Sequence, residues 1–152
     1  MARFGRRGEW WFVGQVVLMG GIAVSPPWPG GELSNGVLML GMALMLFGLN
    51  FAVAGLLWLG PNLTPFPAPI SDNALVTSGP YAVVRHPIYT GLLLLGAGWA
   101  VYRASPAAGA LTVVLFAYLN AKSAREERWL CEQHPQYPAY AAATPRLIPG
   151  VY

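Results

Sequence analysis

Charged side chains are scarce in this sequence of 152 residues. Asp, Glu, Lys and Arg make up 10% of it, whereas hydrophobic residues make up 55%. A soluble domain carries roughly 25% charged residues, so this surface is too apolar to keep a protein dispersed in water. The shortage argues against an ordinary soluble domain and favours an integral membrane protein with a single domain, residues 1–152.

Several common sites are also missing. Cys131 is the only cysteine, which excludes an intrachain disulfide, and with two histidines the chain offers no convincing metal-ligand set. There is no P-loop, no GxGxxG motif and no Ser-His-Asp order. The net charge of +3 is too small to indicate a nucleic-acid partner. We interpret His134, in a tail rich in Pro and Tyr, as exposed.

Four apolar segments are present, at residues 10–24, 37–59, 88–102 and 107–121. A helix needs about 20 residues to cross the hydrocarbon core. The second segment has that length, and the first lies in an uncharged stretch between Glu9 and Glu32, so both are expected to cross. The last two cover only about 22 Å each and form a hairpin that crosses fully or enters part way. The prediction is an all-α polytopic membrane protein with four transmembrane helices and a short cytoplasmic C-terminal helix and tail. Residues 1–60 supply two anchor spans, and residues 61–152 supply the catalytic part.

The positive charges predict the orientation. With a cytoplasmic N-terminus and four crossings, eight of the nine Lys and Arg residues lie in the cytoplasm and only Arg103 lies outside. Both termini are therefore expected in the cytoplasm, and a bacterial inner membrane is favoured over the endoplasmic reticulum.

The polar residues that could take part in catalysis or binding lie in two clusters. In the first, Pro87 suits the first turn of a helix and places His86 at its N-cap, where free N–H groups attract a carboxylate or phosphate. Arg85 adds a positive charge, although both side chains could equally mark a membrane boundary. In the second, residues 122–132 continue the fourth apolar segment, and Lys122 and Glu126 share one helix face. A mixed-charge helix alone is usually a solvated surface.

Together the two clusters resemble the isoprenylcysteine carboxyl methyltransferase family and its phospholipid methyltransferase relatives. The resemblance runs over residues 62–149, in the order LVTSGPY at 75–81, VRHPIYTG at 84–91 and EERWL at 126–130, followed by Tyr137, Tyr140, Arg146 and the Ile-Pro pair at 148–149. It implies S-adenosylmethionine as methyl donor, S-adenosylhomocysteine as product and a cofactor pocket on the cytoplasmic side. The cofactor contacts expected from it and from the cluster chemistry are Asn73, Ala74, Leu75, Val76, Tyr81, Arg85, His86, Pro87, Ile88, Tyr89 and Glu126.

The part of the site that receives the methyl acceptor is expected to involve Lys122, Arg125 and Glu127. The family places a basic residue one helical turn before the first Glu, and that position is Lys122 here, where better-known relatives have Arg. A carboxylate or thiolate acceptor needs no general base, because orientation and desolvation supply most of the rate. An amine acceptor must first lose a proton, for which Glu127 or a nearby water is the candidate.

The expected partner is a lipophilic small molecule, a lipidated substrate or a membrane lipid. It is expected to enter between the third and fourth segments, where Gly91, Gly96 and Gly98 leave room. Two alternatives remain open: an NADPH-dependent membrane reductase of the sterol reductase type, and a non-catalytic membrane subunit. The sequence does not specify an oligomeric state.

Overall fold

The computed structural model describes residues 9–30, 33–60 and 74–150, and these residues form six helices and no strand. The helices are α1 (Glu9–Val24), α2 (Asn35–Leu59), α3 (Pro80–Val83), α4 (Pro87–Tyr102), α5 (Pro106–Gln133) and α6 (Tyr137–Ala143). The predicted all-α class is confirmed. Helices α2 and α5 are long and apolar enough to cross a membrane, and α1 and α4 are shorter apolar helices.

The outer faces of these helices carry large apolar side chains. Val17 on α1, Leu57 on α2 and Val113 on α5 are 67%, 74% and 69% exposed. Large apolar side chains are exposed along all three helices, and such a surface suits contact with lipid tails. Together with the two long apolar helices, it describes a membrane protein; the number of crossings stays a prediction.

The start of each long helix follows from its sequence. Ser34 caps α2 by accepting a hydrogen bond from the Val37 N–H, and Ser105 caps α5 by accepting one from the Ala108 N–H. Pro106 then occupies the first turn of α5, where its missing N–H costs nothing. The fourth apolar segment and the charged cluster form one helix of 28 residues, about 42 Å long at 1.5 Å per residue. Helix α5 is therefore long enough to present its last turns beyond a membrane core.

Helices α2 and α4 run antiparallel and touch through glycines. A Cβ on Gly48 would lie 2.7 Å from the carbonyl oxygen of Gly91, and one on Gly98 would lie 2.7 Å from that of Gly41. Small residues allow such close approach of membrane helices. The expectation that Gly91 and Gly98 leave room for an acceptor is therefore wrong, because the backbone of α2 fills that space.

Gly96 likewise leaves no channel between α4 and α5, since a Cβ there would lie 2.8 Å from Oγ1 of Thr112. Helix α1 packs against α5 on the other side of the bundle. The Tyr118 hydroxyl donates to the carbonyls of Trp10 and Trp11, at 3.2 and 3.0 Å. A buried cluster joins the two helices further along: Ile22, Ala108, Leu115 and Leu119.

Candidate active site

The turn before α4 is held by the C-terminal tail. His86 is the N-cap of α4 and Pro87 its first residue, as predicted. The backbone N–H of Arg85 donates to the carbonyl of Pro145 at 2.9 Å, and the backbone N–H of His86 donates to the carbonyl of Arg146 at 3.2 Å. The tail therefore fixes the backbone that carries the first polar cluster.

Glu127 lies at the centre of a charged cluster that we call the carboxylate hub. Its Oε1 lies 3.0 Å from Nε2 of His86 and 3.2 Å from Nε of Arg85, and its Oε2 lies 2.8 Å from Nη2 of Arg146. Arg146 also donates from Nη1 to Oδ1 of Asn120 at 3.1 Å. Both oxygens of Glu127 are already engaged by cationic or imidazole groups, so the geometry makes this side chain an anchor.

Glu126 faces the other edge of His86. Nδ1 of His86 lies 3.5 Å from Oε2 of Glu126, and the Tyr89 hydroxyl donates to Oε1 of Glu126 at 2.5 Å. The His86 and Tyr89 rings stack with their centroids 5.4 Å apart. His86 therefore bridges the two adjacent carboxylates, and the two sequence clusters meet in space.

The structure treats the two predicted basic residues of α5 differently. Lys122 is 2% exposed, and its Nζ donates to Oε1 of Gln15 at 2.9 Å and lies 5.0 Å from the centre of the Tyr89 ring. Arg125 is exposed and lies over the ring of Trp129 at 5.2 Å. Lys122 joins the cluster around Glu126, and Arg125 is not brought to it.

A cleft opens beside the carboxylate hub. It is lined by five predicted contacts, Ala74, Leu75, Val76, Tyr81 and Arg85, and by five residues that were not predicted, Leu59, Leu130, His134, Tyr137 and Tyr140. His134 is half-buried in this wall, so the expectation that it is exposed is wrong. Pro87 and Ile88 instead pack towards Gly55 of α2, and the predicted contact Asn73 lies outside the described residues.

Three tyrosines give the cleft its polar character. The Tyr140 hydroxyl donates to the carbonyl of Tyr81 at 2.5 Å, and burial raises the pKa of Tyr140 to about 12. Burial also raises the pKa of Tyr81 and of Tyr137 above the ordinary value. All three phenols therefore stay protonated at neutral pH. The buried Tyr137 hydroxyl has no hydrogen-bond partner among the described residues.

Gly79 of the GPY sequence shapes the neighbouring turn. Residues with a side chain rarely adopt its φ of 60°, and a Cβ there would lie 2.3 Å from Cε2 of Trp58. Trp58, near the end of α2, donates from Nε1 to Oγ of Ser78 at 3.3 Å. The glycine lets α2 approach the segment that leads into the cleft.

Tyr137, Tyr140 and Arg146 belong to the family pattern in the sequence but had no role in the predicted site. Gln15 was not predicted. An uncharged polar residue within an apolar segment was the available signal.

The family model for phospholipid methyltransferases matches residues 37–136. Over 145 residues, 95% of the chain, the sequence is 33% identical to the cobalt-zinc-cadmium resistance protein CzcN of Cupriavidus metallidurans and 29% identical to the nickel-cobalt-cadmium resistance protein NccN of Alcaligenes xylosoxydans xylosoxydans. The aligned region spans 63% and 64% of these two relatives.

A third relative is named as an enzyme. Over 81 residues, 52% of the chain, the sequence is 35% identical to protein-S-isoprenylcysteine O-methyltransferase B of Arabidopsis thaliana, of which the aligned region covers 41%. The similarity to both methyltransferase groups agrees with the motifs around His86 and Glu126.

Proposed function

The chain belongs to the phospholipid methyltransferase family, and on that premise we propose that it transfers a methyl group from S-adenosylmethionine to a lipophilic acceptor at the cytoplasmic membrane face. The acceptor is an isoprenylcysteine-type carboxylate, a thiol or a lipid amine. One observation carries the proposal: the polar segments on either side of the α4–α5 hairpin meet where His86 contacts Glu126 and Glu127. In this topology the chain crosses the membrane four times and both termini are cytoplasmic.

The residues of the cleft fit the donor. When bound, S-adenosylmethionine supplies a methyl group on a positively charged sulfonium. Arg85 offers a guanidinium for a carboxylate, and Tyr81 and Tyr140 offer aromatic faces that attract a cation. The Tyr137 hydroxyl lacks a partner within the described chain, as expected of a group that bonds a polar ligand.

The protein's own side chains hold these groups in place. Arg85 is fixed between Glu127 and the carbonyl of Ala141, to which its Nη1 donates at 3.0 Å. Apolar residues of the cleft, Leu59, Leu75 and Leu130, exclude water from its walls. Lys122 holds a positive charge near Glu126, one helical turn away on α5. Orientation and exclusion of water are the main contributions that a methyl transfer to an ionised acceptor requires.

Ligand binding gives the first test. Purified protein in detergent is heated with S-adenosylhomocysteine or with NADPH, and the melting temperature is compared with that of the free protein. Binding to the folded state raises the midpoint, so we expect stabilisation by S-adenosylhomocysteine and a weaker response from His86→Ala and Glu126→Ala. Stabilisation by NADPH alone would instead support the reductase alternative.

Methyl transfer gives the second test. The protein is incubated with S-adenosylmethionine labelled in its methyl group and with three acceptors: a farnesylated cysteine, a long-chain alkyl thiol and phosphatidylethanolamine vesicles. A membrane lipid extract serves as a fourth acceptor. We expect label in the lipophilic fraction with at least one of them. The absence of both labelling and donor binding would favour a non-catalytic subunit.

A further inference from the structure

Gln15 is an uncharged polar residue placed within the apolar helix α1. The helix reads EWWFVGQVVLMGGIAV, so beyond its first three residues Gln15 is the only side chain that forms strong hydrogen bonds. Burying such a group in an apolar setting is costly unless it finds a partner. Its Oε1 accepts a hydrogen bond from Nζ of Lys122 at 2.9 Å.

The contact between α1 and α5 sets this pairing. Gly14 lies against Tyr118, and a Cβ at position 14 would lie 2.2 Å from the Tyr118 hydroxyl oxygen. That hydroxyl also donates to the carbonyls of Trp10 and Trp11. Since Lys122 lies one helical turn after Tyr118, the same contact brings it opposite Gln15.

The choice of a neutral amide matters for Lys122. A buried ammonium needs polar partners, and an aspartate or glutamate at this place would neutralise its charge. The amide oxygen of Gln15 binds the ammonium and leaves its positive charge intact. It holds Nζ over the face of Tyr89, whose hydroxyl donates to Glu126.

We propose that Gln15 is a positioning residue that holds the charged Lys122 for the methyl acceptor, so that α1 contributes to the acceptor side of the site. The match to the family model begins only at residue 37, beyond this helix. The inference rests on the proposed function, because it requires Lys122 to act near the acceptor. Gln15 itself touches neither the cleft nor the carboxylate hub.

Two substitutions separate a positioning role of Gln15 from a packing role. Gln15→Met keeps the length of the side chain and removes the oxygen, whereas Gln15→Glu keeps an oxygen and adds a negative charge that compensates the ammonium. Val17→Met, at a 67% exposed position of the same helix, is the control. Loss of a hydrogen bond to a charged group is worth roughly 10-fold to 100-fold. We expect kcat/KM for the acceptor to fall by about that factor in Gln15→Met, which loses the hydrogen bond. It should also fall in Gln15→Glu, where a carboxylate compensates the positive charge, and stay unchanged in the control.

Donor binding and coupling complete the kinetic test. The Kd for S-adenosylhomocysteine should stay within about twofold of wild type in every variant, because Gln15 lies outside the cleft. Gln15→Met and Lys122→Met should be non-additive, since residues that act as a pair lose the same interaction once. A purely packing role predicts additive losses and full activity in Gln15→Glu, and either result would overturn the inference.

A spectroscopic measurement reports the contact without turnover. Lys122 is the sole lysine of the chain, so lysine labelled with ¹³C and ¹⁵N gives a single side-chain signal by NMR. That signal should move in Gln15→Met and not in Val17→Met. An unmoved signal overturns the inference, and if Gln15→Met fails to fold, Gln15→Glu decides the kinetic question.

The two proposals fail differently. If wild-type protein labels none of the acceptors and does not bind S-adenosylhomocysteine, the proposed function falls and this inference falls with it. If Gln15→Met and Gln15→Glu both transfer methyl at the wild-type rate, only the positioning role of Gln15 is refuted.

Discussion

The imidazole of His86 lies 3.0 Å from the carboxylate of Glu127, although 41 positions separate them in the sequence. This contact joins the turn before α4 to the C-terminal part of α5. Arg146 reaches the same carboxylate from the tail at 2.8 Å. One acidic side chain therefore ties together three segments that form the candidate site.

Glu127→Gln should destabilise the protein. The substitution removes the negative charge that faces Arg85 and Arg146, and breaking a buried charge pair from one side costs about 3–5 kcal/mol. We expect the lower end of that range, about 3 kcal/mol, because Arg146 reaches solvent. Chemical denaturation in detergent measures the loss. Glu132→Gln, at an exposed position of the same helix, should change little, and equal stability of both variants would refute the anchoring role.

Tyr137→Phe should separate stability from donor binding. Its buried hydroxyl has no partner among the described residues, so removing it should leave the free energy of unfolding unchanged or raise it by up to about 1 kcal/mol. If that hydroxyl bonds the donor, the affinity for S-adenosylhomocysteine should fall about 3-fold to 10-fold by calorimetry.

Tyr140→Phe is the matched comparison for that experiment. It removes a hydrogen bond to the carbonyl of Tyr81, and the protein should lose about 1 kcal/mol of stability. Unchanged donor affinity in Tyr137→Phe would remove this hydroxyl from the binding site.

Gly48→Ala should weaken the contact between α2 and α4. The new methyl group would lie 2.7 Å from the Gly91 carbonyl oxygen and 2.8 Å from Cβ of Leu94, and backbone cannot yield as a side chain can. Overpacking of this kind costs about 1–3 kcal/mol. Gly20→Ala, where no heavy atom lies within 4 Å of the new Cβ, should be neutral or stabilising, since Ala favours helix over Gly. A melting curve for each variant decides the matter, and matched midpoints would contradict the packing described.

The helices were predictable where local chemistry decides them. Pro87 marks a helix start because a helix tolerates proline only in its first turn, and it does so in the structure. The contact between Gly48 and Gly91 was not predictable, because the spacing of glycines in one helix does not identify the helix that packs against it. The same limit produced the wrong expectation of an acceptor channel along α4.

Only the motifs that carry the family resemblance made parts of the site predictable. His86 and Glu126 meet as the resemblance implied. The position of Arg146 in the carboxylate hub depends on how the tail folds back over α4, which no local pattern encodes. Gln15 pairs with Lys122 through the packing of α1 on α5, and that contact spans 107 positions.

The orientation in the membrane can be tested with the single native thiol. Cys131 is exposed near the end of α5, and the predicted topology places it in the cytoplasm. Trp28, 62% exposed in the connection between α1 and α2, belongs to the opposite end of the bundle, where its backbone N–H donates to the carbonyl of Ala104. A charged maleimide does not cross a bilayer, because burying its charge in the hydrocarbon core is too costly.

We therefore expect this reagent to label Cys131 in inverted bacterial membrane vesicles and not in intact spheroplasts. Trp28→Cys, combined with Cys131→Ser, should show the reverse pattern. Labelling of both thiols from one side would mean that α5 does not cross the membrane. Labelling of Cys131 from outside would mean that the cleft faces away from the cytoplasm, and a water-soluble methyl donor made inside the cell would not reach it.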